Sequence, residues 1–554
     1  MNKPENFVDI ITFFSGKGFF RKKSAEKQRE LFDSLHEEYK NEFDKKLTNT
    51  IFDLLLHYQN EKNERKINQE KAKLQKEFLP VSGGIDSIND IIVKYPEGKY
   101  LLLAAQNNTD IHKTALACFE NFCKINNVTM LIGRLTYNKN SFSQPDLHDT
   151  NDLWYDKAIQ KYLVDGHIAL GEKFHFLADS NVIPTAEYPL SGFENATPNG
   201  IHVIIPATKL SMQVTASLKD SEGRHNNKIM YSTGAITQRN YIMRKAGKKA
   251  ANSHNISAVY VDTLDENSIR AFEIMPNCGG FYDGHEFYRK FDSIIDNDAV
   301  EGYNFGDLHS ERLSNEDLKR ISNLLDYWKP KHVMVNDGLD FTSRNHHNIK
   351  DHSFRHLTHV NGQSVEDDIE AFKDVLFTID KALKGQGTIH IIESNHDQAL
   401  HKWLITSDFR DDPVNALTYL KLNTALYEHQ KNTCNNDFNV LEYACKNIGS
   451  DLKPELFNNI IFHNVDDSVI VAGVENGCHG HLGSKGSKGS PKQFKKLGIP
   501  MNTGHTHTSS IFNDVYTAGI FAMNTNFGYN KGASDWTNTD IVTYKNGQRQ
   551  IIFN

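Results

Sequence analysis

The chain has 554 residues, with 62 Lys and Arg against 70 Asp and Glu, a formal net charge of −8 and 38% apolar residues. That is material for several cores, about three to four domains on the usual size prior, and the acidic balance excludes a protein held on nucleic acid by bulk electrostatics. No apolar run reaches the roughly 18 residues of a membrane span, and Phe7 to Phe14 is too short for a targeting signal and is interrupted by Asp9, so a cytoplasmic protein without membrane contact is expected.

From the N-terminus, residues 24 to 78 read as helix. Leu31, Leu35, Tyr39, Phe43, Leu47, Ile51, Leu54, Leu55 and Tyr58 recur every three or four residues, and a charged stretch from Gln59 to Lys73 follows. Such a segment, 1–79, serves either as an arm for self-association or for docking a host or phage protein, or as helices packed on their own domain. Ser82-Gly83-Gly84-Ile85-Asp86-Ser87 resembles the phosphate-binding loop of ATP pyrophosphatases. The apolar strand that should precede it is broken by Pro80, so a helix-capping turn is the better reading.

From residue 80 the texture becomes strands and helices. Lys99 to Ala105 and Val128 to Leu135 read as buried strands flanking a helix from Lys113 to Ile125, a β-α-β pattern. Further strands are expected at Ile201 to Ile205 and Ala258 to Val261. Arg239, Arg244, Lys245, Lys248 and Lys249 form a basic stretch that fits a solvated helix face as well as a nucleic-acid contact. This region, 80–295, reads as an α/β domain whose role the sequence does not disclose. Strands then follow at Val300 to Phe305, His332 to Val335, Thr388 to Ile392, Ile460 to His463, Val469 to Ala472 and Val515 to Phe521, with a closing hairpin turning at Asn546-Gly547. The fold class is α/β, in the broader sense α+β. Six cysteines, at 118, 123, 278, 434, 445 and 478, contain no C-x-x-C pair and fit reduced thiols.

Near the ends of the last set of strands stand Asp307-Leu308-His309, Asn336-Asp337, Asn395-His396-Asp397, Cys478-His479-Gly480-His481 and Gly504-His505-Thr506-His507. Each motif alone is weak. Together they supply what two divalent ions about 3.5–4 Å apart require: a shared carboxylate, neutral imidazoles and an amide oxygen. Asp307 and His309 lie two apart, so if strand geometry persists both side chains project the same way.

In this order the motifs resemble the calcineurin-like metallophosphoesterase superfamily, over roughly residues 296 to 554. The resemblance implies a four-layer α/β/β/α sandwich with the metals at the carboxyl-end loops. Carried over residue by residue, it implies Asp307, His309 and His507 on one ion, Asn395, His479 and His505 on the other, and Asp337 between them. His396 is then the catalytic acid, oriented by Asp340. Asn336 and Ser394 stand where the superfamily usually has glycine. Thr342 to Glu370 reads as an insertion over the site, bringing Arg344 and His346 towards substrate. His481 is a second candidate for the position given to His479, or touches substrate.

As a whole the chain looks like early phage proteins that degrade DNA and, more distantly, SbcD-type nucleases of double-strand-break repair. This likeness implies a two-metal DNA nuclease, an exonuclease acting by a hydroxide bridging the ions, with manganese as first choice and magnesium, iron or zinc as substitutes. Its site of action would be the host cytoplasm and its task host DNA degradation. Gly483-Ser484-Lys485-Gly486-Ser487-Lys488-Gly489-Ser490-Pro491-Lys492, continued by Lys495 and Lys496, offers lysines along a phosphodiester backbone without reading bases. A plain surface loop is the alternative. The rival functions are a phosphomonoesterase or protein phosphatase of the same superfamily, and a non-catalytic protein that binds nucleic acid or a host factor.

Overall fold

In the computed structural model, Val300–Asn304, His332–Val335, Thr388–Ile392 and Ile460–His463 lie side by side and parallel. Thr539–Tyr544 and Arg549–Phe553 complete a six-stranded sheet in antiparallel fashion. The structure describes residues 92–137, 153–449 and 454–554, apart from 222, 346, 347, 349, 524–526, 528 and 529. The helical reading of 24–78, the Ser82 to Ser87 loop and His346 lie outside the described residues.

The parallel strands carry apolar side chains on both faces, as a covered sheet requires. On one face Val333, Val335, Ile389 and Ile391 join one core with Ile321, Leu325 and Trp328 of the helix Asn315–Trp328 and with Ile369, Phe372, Leu376 and Ile379 of Val365–Leu383. Both helices begin at a reciprocal capping box, Ser314 with Asp317 and Ser364 with Asp367. On the other face Met334 and Ile392 meet Val469 and Val471.

Val471 belongs to an eleven-stranded sheet that enters from the opposite side of residue 295. Its strands run Val93–Tyr95, His167–Leu170, Phe174–Leu177, His202–Ile205, Lys228–Thr233, Leu210–Thr215, Ser510–Phe512, Val515–Thr517, Met501–Thr503, Val474–Glu475 and Ile470–Val471 in spatial order. Ile511 pairs with Met212 and Phe512 with Ser211. The division expected at 295/296 is therefore not a seam: one sheet crosses it, and Ile92–Asn554 is a single compact unit. Strand runs in the sequence signal their burial, but not which distant strand they pair with.

The β-α-β expected near residue 100 is present. Lys99–Gln106 and Thr129–Leu135 pair in parallel, and the helix Lys113–Asn126 packs Leu116, Phe119 and Phe122 against Leu101 and Leu103. They belong to a five-stranded sheet whose other face, through Tyr100, Leu102 and Val259, shares a core with Phe174, Phe176 and Tyr231 of the long sheet. Ile541 and Ile551 of the six-stranded sheet join the same core. Two smaller sheets thus pack on one long one in a mixed α/β fold.

Candidate metal centre

Every motif singled out in the C-terminal half follows a strand. Asp307, Asp337 and Asn395 come just after three adjacent parallel strands of the six-stranded sheet, and His479 and His505 after Val474–Glu475 and Met501–Thr503 of the long one. Loops at carboxyl ends of strands converge where two sheets face each other. The loops are pinned by backbone bonds: Leu308 N–H donates to Asn336 O at 3.1 Å, His309 N–H to Asp337 O at 2.8 Å and Ser310 N–H to Gly338 O at 3.1 Å.

Strand geometry does not persist into Asp307-Leu308-His309, because the strand stops at Asn304 and His309 turns left-handed at φ +50°. Asp337, His505 and His507 also have positive φ, at +43°, +74° and +56°. A non-glycine residue held there costs on the order of 1–3 kcal/mol, and four of them at one cluster mark a built site. Convergence comes from these turns, not from strand alternation.

The side chains meet around Asp337. His309 Nε2 lies 3.1 Å from His507 Nε2 and 3.7 Å from Asp337 Oδ2. His507 Nε2 lies 3.3 Å from Asp307 Oδ2, and His479 Nε2 3.4 Å from Asp337 Oδ1. Two groups of converging ligand atoms result, His309 with Asp337 and His396, and Asp307 with Asp337 and His507, and the carboxylate of Asp337 is common to both. Asp307 Oδ1, both Asp337 oxygens, Asn395 Oδ1 and His479 Nε2 are buried without a hydrogen-bond partner. Buried polar atoms are almost always satisfied, so this donor set fits a divalent metal ion, whose ligands these would be.

The electrostatics agree. Burial pushes the Asp307 carboxyl well above its usual range, and the neighbouring Asp337 charge adds to this. At Asp337 burial acts in the same sense but is outweighed by His479, His396, His507 and His309, which hold it well below that range. Burial brings His479 down to about 3 and His507 and His481 to about 4, leaving neutral imidazoles, the form that ligates. His396 is the exception. Burial lowers it, but the Asp337 charge, the hydrogen bond to Asp340 O and the Asp340 charge together raise it above the ordinary histidine value.

The His396 and Asp340 pair differs from the expected dyad. His396 Nδ1 donates to the backbone carbonyl of Asp340 at 2.8 Å, whereas the Asp340 carboxylate is 3.6 Å away. That carboxylate accepts from Arg312 Nε at 2.7 Å and from the Thr342 hydroxyl, and it lies 3.4 Å from His309 Nδ1. Asp340 therefore orients His309 and Arg312 by its side chain, and His396 by its main chain.

Among the residues expected near substrate, His481 is half-buried with its ring centroid 5.4 Å from His479 and 6.1 Å from His505. Lys488 pairs across a tight loop with Leu482 and its charge bears on His505, while Lys485 sits exposed at φ +60°. Arg344 is turned away: its guanidinium makes a bidentate pair with Asp412 at 2.7 and 3.2 Å and is nearly buried. The segment Thr342 to Glu370 folds as a short turn, a helix His352–Val360 and the start of Val365–Leu383.

Four further residues contribute. Asn336 Oδ1 accepts from His479 Nδ1 at 3.3 Å, which directs Nε2 towards Asp337. Asp397 accepts from Leu339 N–H, Ser394 N–H and the Ser394 hydroxyl at 3.1, 3.1 and 2.8 Å, tying the loop of His396 to that of Asp337. Trp536 stands edge-on to His507 at 4.2 Å, and Phe527 lies 5.3 Å from His309. Asn336 and Ser394 thus each hold a partner at the cluster, His479 and Asp397.

These features define a mixed α/β protein with a buried His/Asp centre of metal-binding type at the strand ends of two sheets. No protein-family model matches the chain, and no solved structure matches it. It is 39% identical over 490 residues to Protein A1 of Escherichia phage T5, a similarity covering 85% of this chain and 85% of that protein. The chain belongs to the family of Protein A1.

Proposed function

We propose that this protein is a two-metal phosphodiesterase that hydrolyses DNA, built on the calcineurin-like sandwich of helices, sheet, sheet and outer layer. The carrying observation is the carboxylate of Asp337, buried and without a hydrogen bond, whose Oδ2 lies 3.7 Å from His309 Nε2 and 3.9 Å from His507 Nε2 while its Oδ1 lies 3.4 Å from His479 Nε2. Asp307, His309 and His507 on one side, and Asn395, His479 and His505 on the other, are the residues that would hold the ions. Manganese suits this mixture of imidazole, carboxylate and amide ligands. Bound there, the ions would supply an acidified water and neutralise charge developing on the phosphoryl group.

The remaining chemistry falls to the chain. His396, with a raised affinity for its proton and its Nδ1 fixed on Asp340 O, holds the proton on Nε2 for the departing ribose oxygen. Asp340 and Asn336 hold His309 and His479 in their ligating orientations. The lysine loop after His481 supports a polymeric anion as substrate rather than a small monoester. A relative from a phage supports the part of this reading that makes it a phage protein.

The test is manganese-dependent degradation of end-labelled linear duplex DNA by wild type, by His396→Ala and with EDTA. Loss of DNA that disappears in both controls is expected, with metal content unchanged in His396→Ala and lost in Asp337→Ala. Intact DNA with hydrolysis of p-nitrophenyl phosphate would transfer the site to a phosphatase. Retention of DNA without hydrolysis of either would leave a binding protein.

A further inference from the structure

Beyond the metal centre, the long sheet carries a cleft of about 400 Å³ lined by Tyr188, Phe512, Met212, Ile511 and Pro491 among others. The two rings are stacked, 5.2 Å between centroids at 28°, and Tyr188 is 47% exposed. Lys492 Nζ lies 5.6 Å from the Tyr188 ring and Lys495 Nζ 5.3 Å from the Phe512 ring. Lys209 and Lys249 are within electrostatic range of Lys495, against the acids Glu187 and Asp514. Lysines thus outnumber acids around an accessible aromatic pair.

The chain joins this cleft to the metal centre from both sides. Phe512 is five residues after His507, so the two Cα atoms are at most about 18 Å apart. Opposite it, Ser490 and Pro491 follow Gly489, whose N–H donates to His481 O at 3.1 Å. At the 3.4 Å rise of one strand of a duplex, that reach is about five nucleotides. Ammonium groups over an exposed aromatic pair match a nucleobase and its phosphates: a base can take a lysine's place on a ring face and the displaced lysine a flanking phosphate, because every base has a π-face and stacking asks for no sequence.

We infer that the Tyr188 and Phe512 cleft is a base-stacking site that grips a single strand of DNA a few nucleotides from the metal centre. This rests on the reading of that centre as a DNA hydrolase. Lys492 and Lys495 hold the phosphates flanking the stacked base, and the cleft sets where along the strand the metal centre is presented with a phosphodiester.

The experiment uses the full chain in manganese and a short fluorescein-tagged, phosphorothioate-linked oligodeoxythymidylate that resists hydrolysis, read by anisotropy. Tyr188→Ala should weaken binding by on the order of 10-fold or more, while Tyr188→Phe, which keeps the ring, retains it and shows that the fold is intact. Lys492→Ala should flatten the dependence of log K on log salt by about 0.7. Hydrolysis of bis(p-nitrophenyl) phosphate, too small to reach the cleft, should be unchanged in both Tyr188 variants. Equal affinity in wild type and Tyr188→Ala overturns the stacking site and leaves a DNA hydrolase standing if duplex degradation persists. Ring-dependent binding in a protein that degrades no DNA keeps the stacking site and removes the hydrolase reading.

Discussion

Gly504 shows how tightly single residues are fitted around the cluster. A Cβ at this position would fall on Asp307 Oδ1, inside van der Waals contact, with the Asn336 side chain 3.5 Å away. Gly504→Ala should therefore displace a ligand without touching the bulk fold, lowering metal affinity about 10- to 100-fold with little change in Tm; isothermal titration with manganese reads the first and calorimetry the second. Asn336→Ala should weaken metal binding through His479 by a similar factor, since it frees the ring to turn. That these Asp, His and Asn residues would converge was legible in the sequence, because such types at successive strand ends have few other uses in that combination. The left-handed turns at His309, Asp337, His505 and His507 were not, because a backbone that only tertiary contacts can hold leaves no mark in residue type. For the same reason Asp340 was legible as a partner of His396, but not as one acting through its carbonyl.

At the scale of elements, the site is an assembly of five loops and its precision lies in the ties between them. Asp397 is the strongest tie, with three donors on one buried carboxylate. Burial, then the Asp337 charge, pushes this carboxyl up to about 7. Asp397→Ala strands these donors, which costs on the order of 1–3 kcal/mol, and lets His396 drift relative to Asp337. A Tm lower by several degrees together with a fall in kcat of about 100-fold is expected; unchanged kcat would separate the tie from the chemistry. Metal itself should act in the same direction. At 100 to 1,000 times Kd it adds about 2.7–4.1 kcal/mol, so Tm should rise on adding manganese and return on adding EDTA, a shift that Asp337→Ala abolishes. The parallel strands of this half were readable as short apolar runs, while the helices between them were not read from the sequence. The short strand Ile470–Val471 ends where Ala472 and Gly473 turn left-handed into Val474–Glu475, and beyond Val515–Thr517, in the run to Phe521, only Ile520 pairs, in single bridges to Asp307 and Asn538.

Across the whole molecule, His332, His390 and His463 form a row over three neighbouring strands, with Nδ1 of His332 3.1 Å from Nε2 of His390 and Nδ1 of His390 2.9 Å from Nε2 of His463. Burial, the largest cause for each, lowers all three, His390 to about 4. The unfolded chain, with histidines near 6.5, binds more protons between those values, so the contribution is complete above about 6.5 and lost as pH falls towards 4. A loss on the order of 1–2 kcal/mol is expected after solvent screening, read as a fall in Tm between pH 7 and 5 that is smaller in His390→Gln. The shared sheet makes a second demand. A fragment from residue 296 onward lacks Leu210–Thr215, the partner of Ser510–Phe512, and exposes that edge; it should be insoluble or unfolded where the chain from 92 to 554 is not. The sequence hid this because pairing between strands so distant is written in no local pattern.

The pairing of Met212 with Ile511 also sets a clock on biosynthesis. The ribosome adds the second strand about 300 residues after the first, some 15–60 s later at ~5–20 residues per second, and His505 and His507 emerge in the same late stretch. Until then the nascent chain holds Asp307, Asp337 and His309 without the C-terminal histidine that meets them. The buried cluster of Asp and His side chains therefore forms only when the last strands close the sheet, and a chain truncated before them lacks it.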